Sequence, residues 1–279
     1  MIRKITLGII LATFFMTGTS WAGESNGHFK PLDYFTVPEI VANSVALGAN
    51  AYLLSMPETS PSFGAPSARS TDWEIYEDHT YLDHEKYEDM SDALLFSMLA
   101  IPAITYTTGI FADLPGMDHA NVRLLGYLEA LNFTQLFTGS AKKLIGRERP
   151  DGEDYQSFFS GHSSTTFMAA SYFSWDMSAW LRNRLPADAG VATKLLVGSI
   201  PFAALYTAAG LTAYYRIAAE KHWFSDVMTG SLVGIGCGNF FYLLHFRPDG
   251  KVKKRSDTTA AVYPVITPEI TGVAVTWRF

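Results

Sequence analysis

The stretch from Tyr215 to Asp226 reads YRIAAEKHWFSD, and the rest of the chain is best interpreted outward from it. If a helix begins near Trp223, His222 and Asp226 lie one turn apart on one face. An aspartate in that position can accept the proton of one imidazole nitrogen and leave the other nitrogen free. The spacing indicates a histidine nucleophile or base with an orienting carboxylate. A surface His–Asp pair at a helix start would have the same spacing.

Two upstream stretches narrow this choice. Residues 142–150 read KKLIGRERP, in which a lysine is followed seven residues later by arginine and proline. Residues 159–162 read FSGH, at a predicted junction between a loop and a helix. With the stretch after Tyr215, they form three ordered blocks that combine cationic, small and histidine residues. The candidate site residues of the three blocks are Lys142, Arg149, Ser160, Gly161, His162, Arg216, His222 and Asp226.

In this order the blocks resemble the signature of the type 2 phosphatidic acid phosphatase (PAP2) family. That family also contains bacterial class A acid phosphatases and vanadium haloperoxidases. Its pattern is Lys-x6-Arg-Pro, then Pro-Ser-Gly-His, then Ser-Arg-x5-His-x3-Asp. The resemblance covers about residues 91–246. Phe159 and Tyr215 depart from the pattern, because the family usually has proline and serine there, and both can alter loop shape or substrate fit.

The resemblance implies phosphoryl transfer, in which catalysis is mostly positioning and charge stabilisation. Lys142, Arg149 and Arg216 would compensate the charge of the phosphate, and arginines permit forked contacts that lysine cannot make. Ser160 and Gly161 would add backbone N–H donors at the start of a helix. No cofactor and no metal ion is expected, because the three cationic side chains take the place that magnesium has in other phosphoryl-transfer enzymes.

The resemblance also assigns roles to the histidines. His222 would attack phosphorus in line and form a phosphohistidine, with Asp226 fixing its tautomer. His162 would protonate the leaving oxygen and then activate water for the second step. These roles suit the residue types, because a histidine base needs a pKa near the working pH and a nearby phosphate and carboxylate raise it.

The first 22 residues have the pattern of a secretory signal peptide. Two basic residues precede an apolar run over residues 5–15, and Ala22 ends a small-x-small cleavage motif. The alternative is an uncleaved membrane helix, for which the apolar run is short. We therefore expect an exported chain.

Residues 23–92 are interpreted as an N-terminal extension. It contains a predicted short helix at 38–54, a linker rich in Ser, Pro, Gly and Ala at 55–71, and an acidic segment at 72–92 with nine carboxylates. A divalent-cation site is one interpretation of the acidic segment. A solvated acidic segment is favoured, because no established ligand spacing is present.

Residues 93–246 are expected to form an all-α helical bundle of the PAP2 and haloperoxidase type. The predicted helices cover 93–112, 123–141, 163–181, 195–215 and 227–246. Antiparallel neighbours would bring the three motif blocks to one rim. Glu129 and Asp176 lie inside predicted helices and need buried partners, whereas Lys143, Arg147 and Lys221 are interpreted as surface charges.

Residues 247–279 are expected to form a basic linker and a β-like tail. The last eight residues, GVAVTWRF, alternate strictly between the two faces of a strand. A short C-terminal β-hairpin or strand extension packed on the bundle is therefore predicted.

Three of the predicted helices are long and apolar enough to span a membrane. Glu129 and Asp176 would place charge near the middle of the bilayer in the other two, and the mean hydropathy of +0.09 is low for six spans. A periplasmic protein that touches the membrane surface is favoured, with a spanning bundle as the alternative. In either topology the candidate site faces the periplasm.

The favoured function is a phosphatase acting on phosphomonoesters or pyrophosphates, with lipid phosphates preferred because the helices are apolar. A soluble periplasmic acid phosphatase, a vanadium-dependent haloperoxidase and a non-catalytic envelope binding protein are the alternatives. A net charge of −6 without a basic face argues against nucleic acid as a partner. The single cysteine, Cys237, excludes an internal disulfide framework. Neither the leaving group nor the oligomeric state is predicted.

Overall fold

The protein is described by a computed structural model that covers residues 31–57, 68, 70–77, 83–112, 114 and 117–253, together with the backbone of four strands outside these ranges. The helices are α1 Val37–Ser55, α2 Ser70–Glu77, α3 His84–Ala112, α4 Ala120–Ile145, α5 Gly161–Arg182, α6 Val191–Ala218 and α7 Phe224–His245, and a 3-10 turn covers Pro31–Asp33. The strands are β1 Ala22–Glu24, β2 Gly27–His28, β3 Thr259–Ile266 and β4 Thr271–Arg278. The predicted helical bundle is confirmed, and α3 to α7 correspond to the five predicted helices.

Helix α5 lies at the centre of the bundle. It packs against α3, α4, α6 and α7, while α1 packs on α4 and α2 on α7. The core around α5 is aromatic, and four fully buried tyrosines lie with ring centroids 5.3 to 6.4 Å apart in edge-on arrangements. Such pairs stabilise a core beyond the area they bury. The four are Tyr106, Tyr127, Tyr172 and Tyr242.

Helices α5 and α7 approach each other closely through a row of glycines. A Cβ atom at Gly230 would lie 2.5 Å from the carbonyl oxygen of Ser160, and one at Gly234 would lie 2.1 Å from that of Ser164. Gly238, four residues further on, faces the carbonyl of Met168 in the same way. Only residues without a side chain permit this separation, so the glycine row places the start of α5 against the start of α7.

The two predicted buried carboxylates have partners. Asp176 accepts hydrogen bonds from Arg123 and from the hydroxyls of Tyr106 and Tyr242, the latter two at 2.7 and 2.9 Å. Glu129 contacts Asn43 on α1 and His245 at the end of α7. Both carboxylates are therefore held inside the protein by cross-helix contacts, as buried charge requires.

Helix α3 begins at His84 rather than at Ala93, so the end of the predicted acidic segment is helical. Glu, Lys and Met favour helix in this stretch, and Ser91 is fully buried. The extra turns carry Glu88 and Asp92 toward the candidate site. The short helix expected at 38–54 is present as α1, with a capping box between Thr36 and Glu39.

Several predictions from the sequence concern residues that the structure does not describe. Residues 1–21, most of the linker and residues 78–82 of the acidic segment lie outside the described residues, and the four region boundaries stay predictions. Strands β3 and β4 pair antiparallel, with Thr259 opposite Arg278. Packing of this tail on the bundle stays a prediction, because its side chains lie outside the described residues.

Helices α3, α6 and α7 are each long and apolar enough to cross a membrane. They expose many large apolar side chains, which are costly in water and favourable in lipid. Examples are Phe96, Ile104, Phe111, Leu195, Leu196, Leu232 and Phe240, each more than 60% exposed.

Candidate active site

His222 lies just before α7, and its side chain is almost completely buried. Its Nδ1 atom is 2.8 Å from the backbone carbonyl oxygen of Ser157. A carbonyl can only accept a hydrogen bond, so Nδ1 carries the proton and Nε2 keeps its lone pair. Trp223, the next residue, is held by its indole N–H, which donates to the carbonyl of Glu148 at 2.9 Å. The ring of His222 is thus oriented with one nitrogen ready to act as a nucleophile.

The expected hydrogen bond between Asp226 and His222 is absent from the described contacts, and this part of the prediction is wrong. Asp226 is fully buried and accepts hydrogen bonds from the hydroxyl of Ser157, from Arg147, and from the backbone N–H of Trp223 at 3.1 Å. Ser157 therefore connects the two residues, with its hydroxyl on Asp226 and its carbonyl on His222. Asp226 is therefore connected to His222 indirectly, through Ser157.

Arg147 was expected to be a surface charge, and this expectation is also wrong, because only 4% of the residue is exposed. It bridges two buried carboxylates, at 2.5 Å from Asp226 and 2.9 Å from Asp72. Asp72, from the predicted solvated acidic segment, also accepts hydrogen bonds from the backbone and hydroxyl of Ser225 at 2.8 and 2.9 Å. Helix α2 is thereby attached to the first turn of α7.

Three cationic side chains, here called the cationic cluster, come from different elements: Lys142 from the end of α4, Arg149 from the following loop and Arg216 from the end of α6. Lys142 donates to the carbonyl of Gln156 at 2.8 Å, and Arg149 pairs with Asp154 at 2.6 Å. Arg216 donates to the hydroxyl of Ser91 at 3.2 Å. Its Nε atom is buried without a hydrogen-bond partner among the described residues.

The charges of the cationic cluster act on His222. Burial, followed by the charges of Lys142, Arg216 and Arg149, holds the pKa of His222 well below its ordinary value. Burial and the charges of Arg149 and Arg216 lower the pKa of Lys142 to about 7. An anion bound among these groups would offset their mutual repulsion, so the arrangement favours a ligand with several negative charges.

His162 lies in the first turn of α5, and its Nε2 atom is 2.6 Å from a carboxylate oxygen of Asp92 on α3. Burial and then the charge of Arg216 lower the pKa of His162 to about 4, while Asp92 opposes that shift. The sequence gives no signal for Asp92, because one carboxylate among nine in an acidic segment carries no motif. Its place beside His162 is a property of the packed helices.

Ser160 caps α5, accepting a hydrogen bond from the backbone N–H of Ser163 at 3.4 Å. Its own N–H donates to the carbonyl of Asp226 at 3.1 Å, so this N–H serves the packing of α5 on α7 rather than a phosphate. Gly161 begins the helix, where backbone N–H groups have no partner within the helix. A Cβ atom there would lie 3.4 Å from Thr138 and 4.0 Å from Lys142, on the side of the cationic cluster.

Acidic side chains border the cluster as well. Glu88 is 3.8 Å from Arg216 and 3.5 Å from Lys221. Lys221, also expected to be a surface charge, has a mostly buried side chain that pairs with Asp151 and Glu153 at 3.1 and 2.8 Å. Lys143 donates instead to backbone carbonyls at the end of α1 and stays outside the cluster.

Comparison with known proteins finds one family model and several relatives similar to part of the chain. The model of the PAP2 superfamily matches residues 123–249. The helical region of this chain is therefore similar to the PAP2 superfamily, which contains phosphatases.

Three curated relatives are similar over part of the chain. A PA-phosphatase related-family protein of Dictyostelium discoideum is 33% identical over 166 residues, which are 55% of this chain and 59% of the relative. The lipid A 1-phosphatase of Porphyromonas gingivalis is 34% identical over 103 residues, which are 37% of this chain and 19% of the relative. Lipid phosphate phosphatase 2 of Arabidopsis thaliana is 26% identical over 165 residues, which are 49% of this chain and 54% of the relative.

The chain thus spans about three fifths or less of the length of these relatives. Among solved structures, that of Aquifex aeolicus LpxE is 19% identical, with a TM-score of 0.41, and the match covers 66% of this chain and 98% of the other.

Proposed function

We propose that the protein is a phosphatase that hydrolyses lipid phosphates through a phosphohistidine formed on His222. The observation that carries the proposal is the hydrogen bond of 2.8 Å between Nδ1 of His222 and the carbonyl of Ser157, which leaves Nε2 free beside the cationic cluster. A nucleophile needs a lone pair and a fixed direction, and this contact supplies both.

In the first step, Nε2 of His222 attacks phosphorus and the bond from phosphorus to the leaving oxygen breaks. His162 donates its proton to that oxygen. Lys142, Arg149 and Arg216 balance the charge of the phosphoryl oxygens. Charge-assisted hydrogen bonds are suited to this role, because they are strongest where water is excluded.

In the second step, His162 removes a proton from a water molecule, and the resulting hydroxide attacks the phosphohistidine. The bond between nitrogen and phosphorus breaks, inorganic phosphate leaves, and Nε2 regains its lone pair. His162 has a low pKa in the free protein, and a phosphate dianion beside it would raise that pKa into a range useful for proton transfer.

Two observations support a lipid substrate. Apolar side chains of α3, α6 and α7 are exposed over most of these helices. Relatives with 26% to 34% identity are named as phosphatases of lipid phosphates and of lipid A. A soluble phosphate ester is the alternative substrate. Such a substrate would give no role to the exposed apolar side chains of α3, α6 and α7.

A periplasmic orientation of the site is part of the proposal. The site is formed where α4 and α6 end and where α5 and α7 begin. Basic residues lie at or beyond the opposite ends of α5 and α7, namely Arg182, Arg184, Lys251 and Lys253. Because basic loops favour the cytoplasmic side, the site would face away from it.

The test is phosphate release by the purified chain from a panel of one soluble aryl phosphate and several lipid phosphates. We expect a lipid phosphate to be preferred and His222→Ala to lose at least about 10³-fold in kcat, because the nucleophile is removed. Lys142→Ala should also lose activity, whereas Lys143→Ala, the matched control one residue away, should not.

Further results of this assay distinguish the proposed function from its alternatives. Trapping of labelled phosphate on the wild-type chain but not on His222→Ala would support the phosphohistidine, and full activity of His222→Ala would refute it. Preference for the aryl phosphate would favour a soluble acid phosphatase. Halide oxidation in the presence of vanadate would favour a haloperoxidase.

A further inference from the structure

A second cluster of ionisable side chains lies at the other end of the bundle from His222. It consists of Glu39 on α1, Glu129 on α4 and His245, the last residue of α7. At about 1.5 Å per residue, the length of α7 separates His245 from the candidate active site by about 30 Å. The cluster is therefore independent of the phosphate chemistry proposed above.

The three side chains converge on one point. The Nε2 atom of His245 is 2.8 Å from Oε2 of Glu129 and 3.2 Å from Oε1 of Glu39. One ligand atom from each residue lies within 4.8 Å of the other two. A zinc ion with bonds of 2.0 to 2.2 Å keeps its ligand atoms about 3.3 Å apart, so small side-chain shifts suffice to accommodate it.

Each carboxylate uses only one of its oxygens for a structural contact. Oε2 of Glu39 accepts the backbone N–H of Thr36 at 3.0 Å, and Oε1 of Glu129 accepts a hydrogen bond from Asn43. The other two oxygens are the ones that face His245. Outer contacts of this kind orient ligands in metal sites.

The buried charge of the cluster is not balanced by lysine or arginine. Glu129 and His245 are almost fully buried, and within the described ranges neither carboxylate forms an ion pair with a lysine or arginine. Oε1 of Glu39 is buried and makes no hydrogen bond among these residues. Two carboxylates and a neutral imidazole are neutralised by one divalent cation, which removes the cost of burying them.

We propose that Glu39, Glu129 and His245 form a structural binding site for a divalent transition metal ion, with Zn²⁺ the best match to one nitrogen and two carboxylate ligands. A set of three protein ligands leaves a fourth position for water. The ion would join α1 to α4 and α7 and so attach the N-terminal extension to the bundle.

The test uses the full chain with any affinity tag removed, treated with chelator and then loaded with Zn²⁺. We expect about one zinc per chain after gel filtration, a higher melting temperature, and visible absorption bands when Co²⁺ replaces zinc. Glu39→Gln should weaken zinc binding at least about 10-fold, and His245→Ala should abolish it. His119→Asn is the control for loss of a histidine, because His119 is not among the three proposed ligands and asparagine tolerates its left-handed backbone conformation, so zinc binding should be unchanged.

The proposal is overturned if the folded wild-type chain binds no more zinc than Glu39→Gln, since protons alone would then neutralise the carboxylates. Glu39→Gln tests the proposed zinc site even if His245→Ala does not fold. Glu39 lies nearer the surface than His245, so its substitution should disturb folding less. Phosphatase activity is not a readout, so failure of this proposal and failure of the proposed function are distinguishable.

Discussion

At the scale of single residues, the candidate site depends on contacts that set tautomer and charge. His222 is oriented by a main-chain carbonyl, which cannot change protonation state, whereas His162 is paired with the carboxylate of Asp92 at 2.6 Å. The first arrangement keeps a lone pair on Nε2 at any pH at which the ring is neutral. The second makes the proton affinity of His162 depend on a neighbouring charge.

The pairing of His162 with Asp92 predicts a pH effect. The charge of Asp92 raises the pKa of His162 against the larger effect of burial, so Asp92→Asn should lower that pKa further. Less His162 is then protonated at a given pH, so we expect kcat to fall about 10-fold to 100-fold and its alkaline limb to move to lower pH. The measurement is the pH profile of kcat with the preferred substrate.

Glu88→Gln is the control for this prediction. Glu88 lies one turn before Asp92 on the same helix and contacts Arg216 and Lys221 rather than His162. The Glu88→Gln variant should therefore leave the alkaline limb of the kcat profile at the wild-type pH. Equal losses in both variants without movement of the limb would contradict the assignment of Asp92 to His162.

At the scale of elements, the contact between α5 and α7 positions the site. The row of glycines on α7 lets the helices approach until the N–H of Ser160 reaches the carbonyl of Asp226 at 3.1 Å. This contact aligns the first turn of α5, which carries His162, with the first turn of α7, which follows His222. Packing between the two helices and geometry at the site are therefore coupled.

We expect Gly234→Ala to lower the free energy of unfolding by about 1 to 3 kcal/mol, because a Cβ atom 2.1 Å from the carbonyl oxygen of Ser164 must push the helices apart. The same displacement should reduce kcat. Gly236→Ala, two residues along the same helix, has no atom within 4 Å of the added Cβ and should be neutral or stabilising by up to about 1 kcal/mol. Melting temperatures in detergent compare the two, and equal temperatures would show that α5 and α7 do not pack this closely.

At the scale of the whole molecule, the distribution of apolar surface governs where the protein resides. Three helices combine sufficient length with exposed apolar side chains, and the candidate site lies at one end of the bundle. The two charged residues that argued against spanning, Glu129 and Asp176, are buried among polar partners inside the bundle. They would therefore not meet lipid, which favours insertion over contact with the membrane surface.

This arrangement predicts that the protein stays with the membrane fraction after washing with alkaline carbonate, which removes proteins bound only at the surface. In oriented vesicles the proposed site should be accessible from the periplasmic side, measured as phosphate release from a substrate that cannot cross the bilayer. Release of the chain by carbonate would instead favour a protein that only touches the membrane.

The sequence by itself determined the five bundle helices, the three motif blocks and the resemblance to the PAP2 family, because hydrophobic periodicity, helix boundaries and motif spacing are local properties. Only the tertiary structure decided that Asp226 contacts Ser157 rather than His222, that Arg147 is buried, that Asp92 pairs with His162, and that Glu129 meets His245. The partners in these contacts are 65 to 116 residues apart in the cases of His222, His162 and Glu129. Contacts at such separations depend on how the helices pack, and no local pattern of residues encodes them.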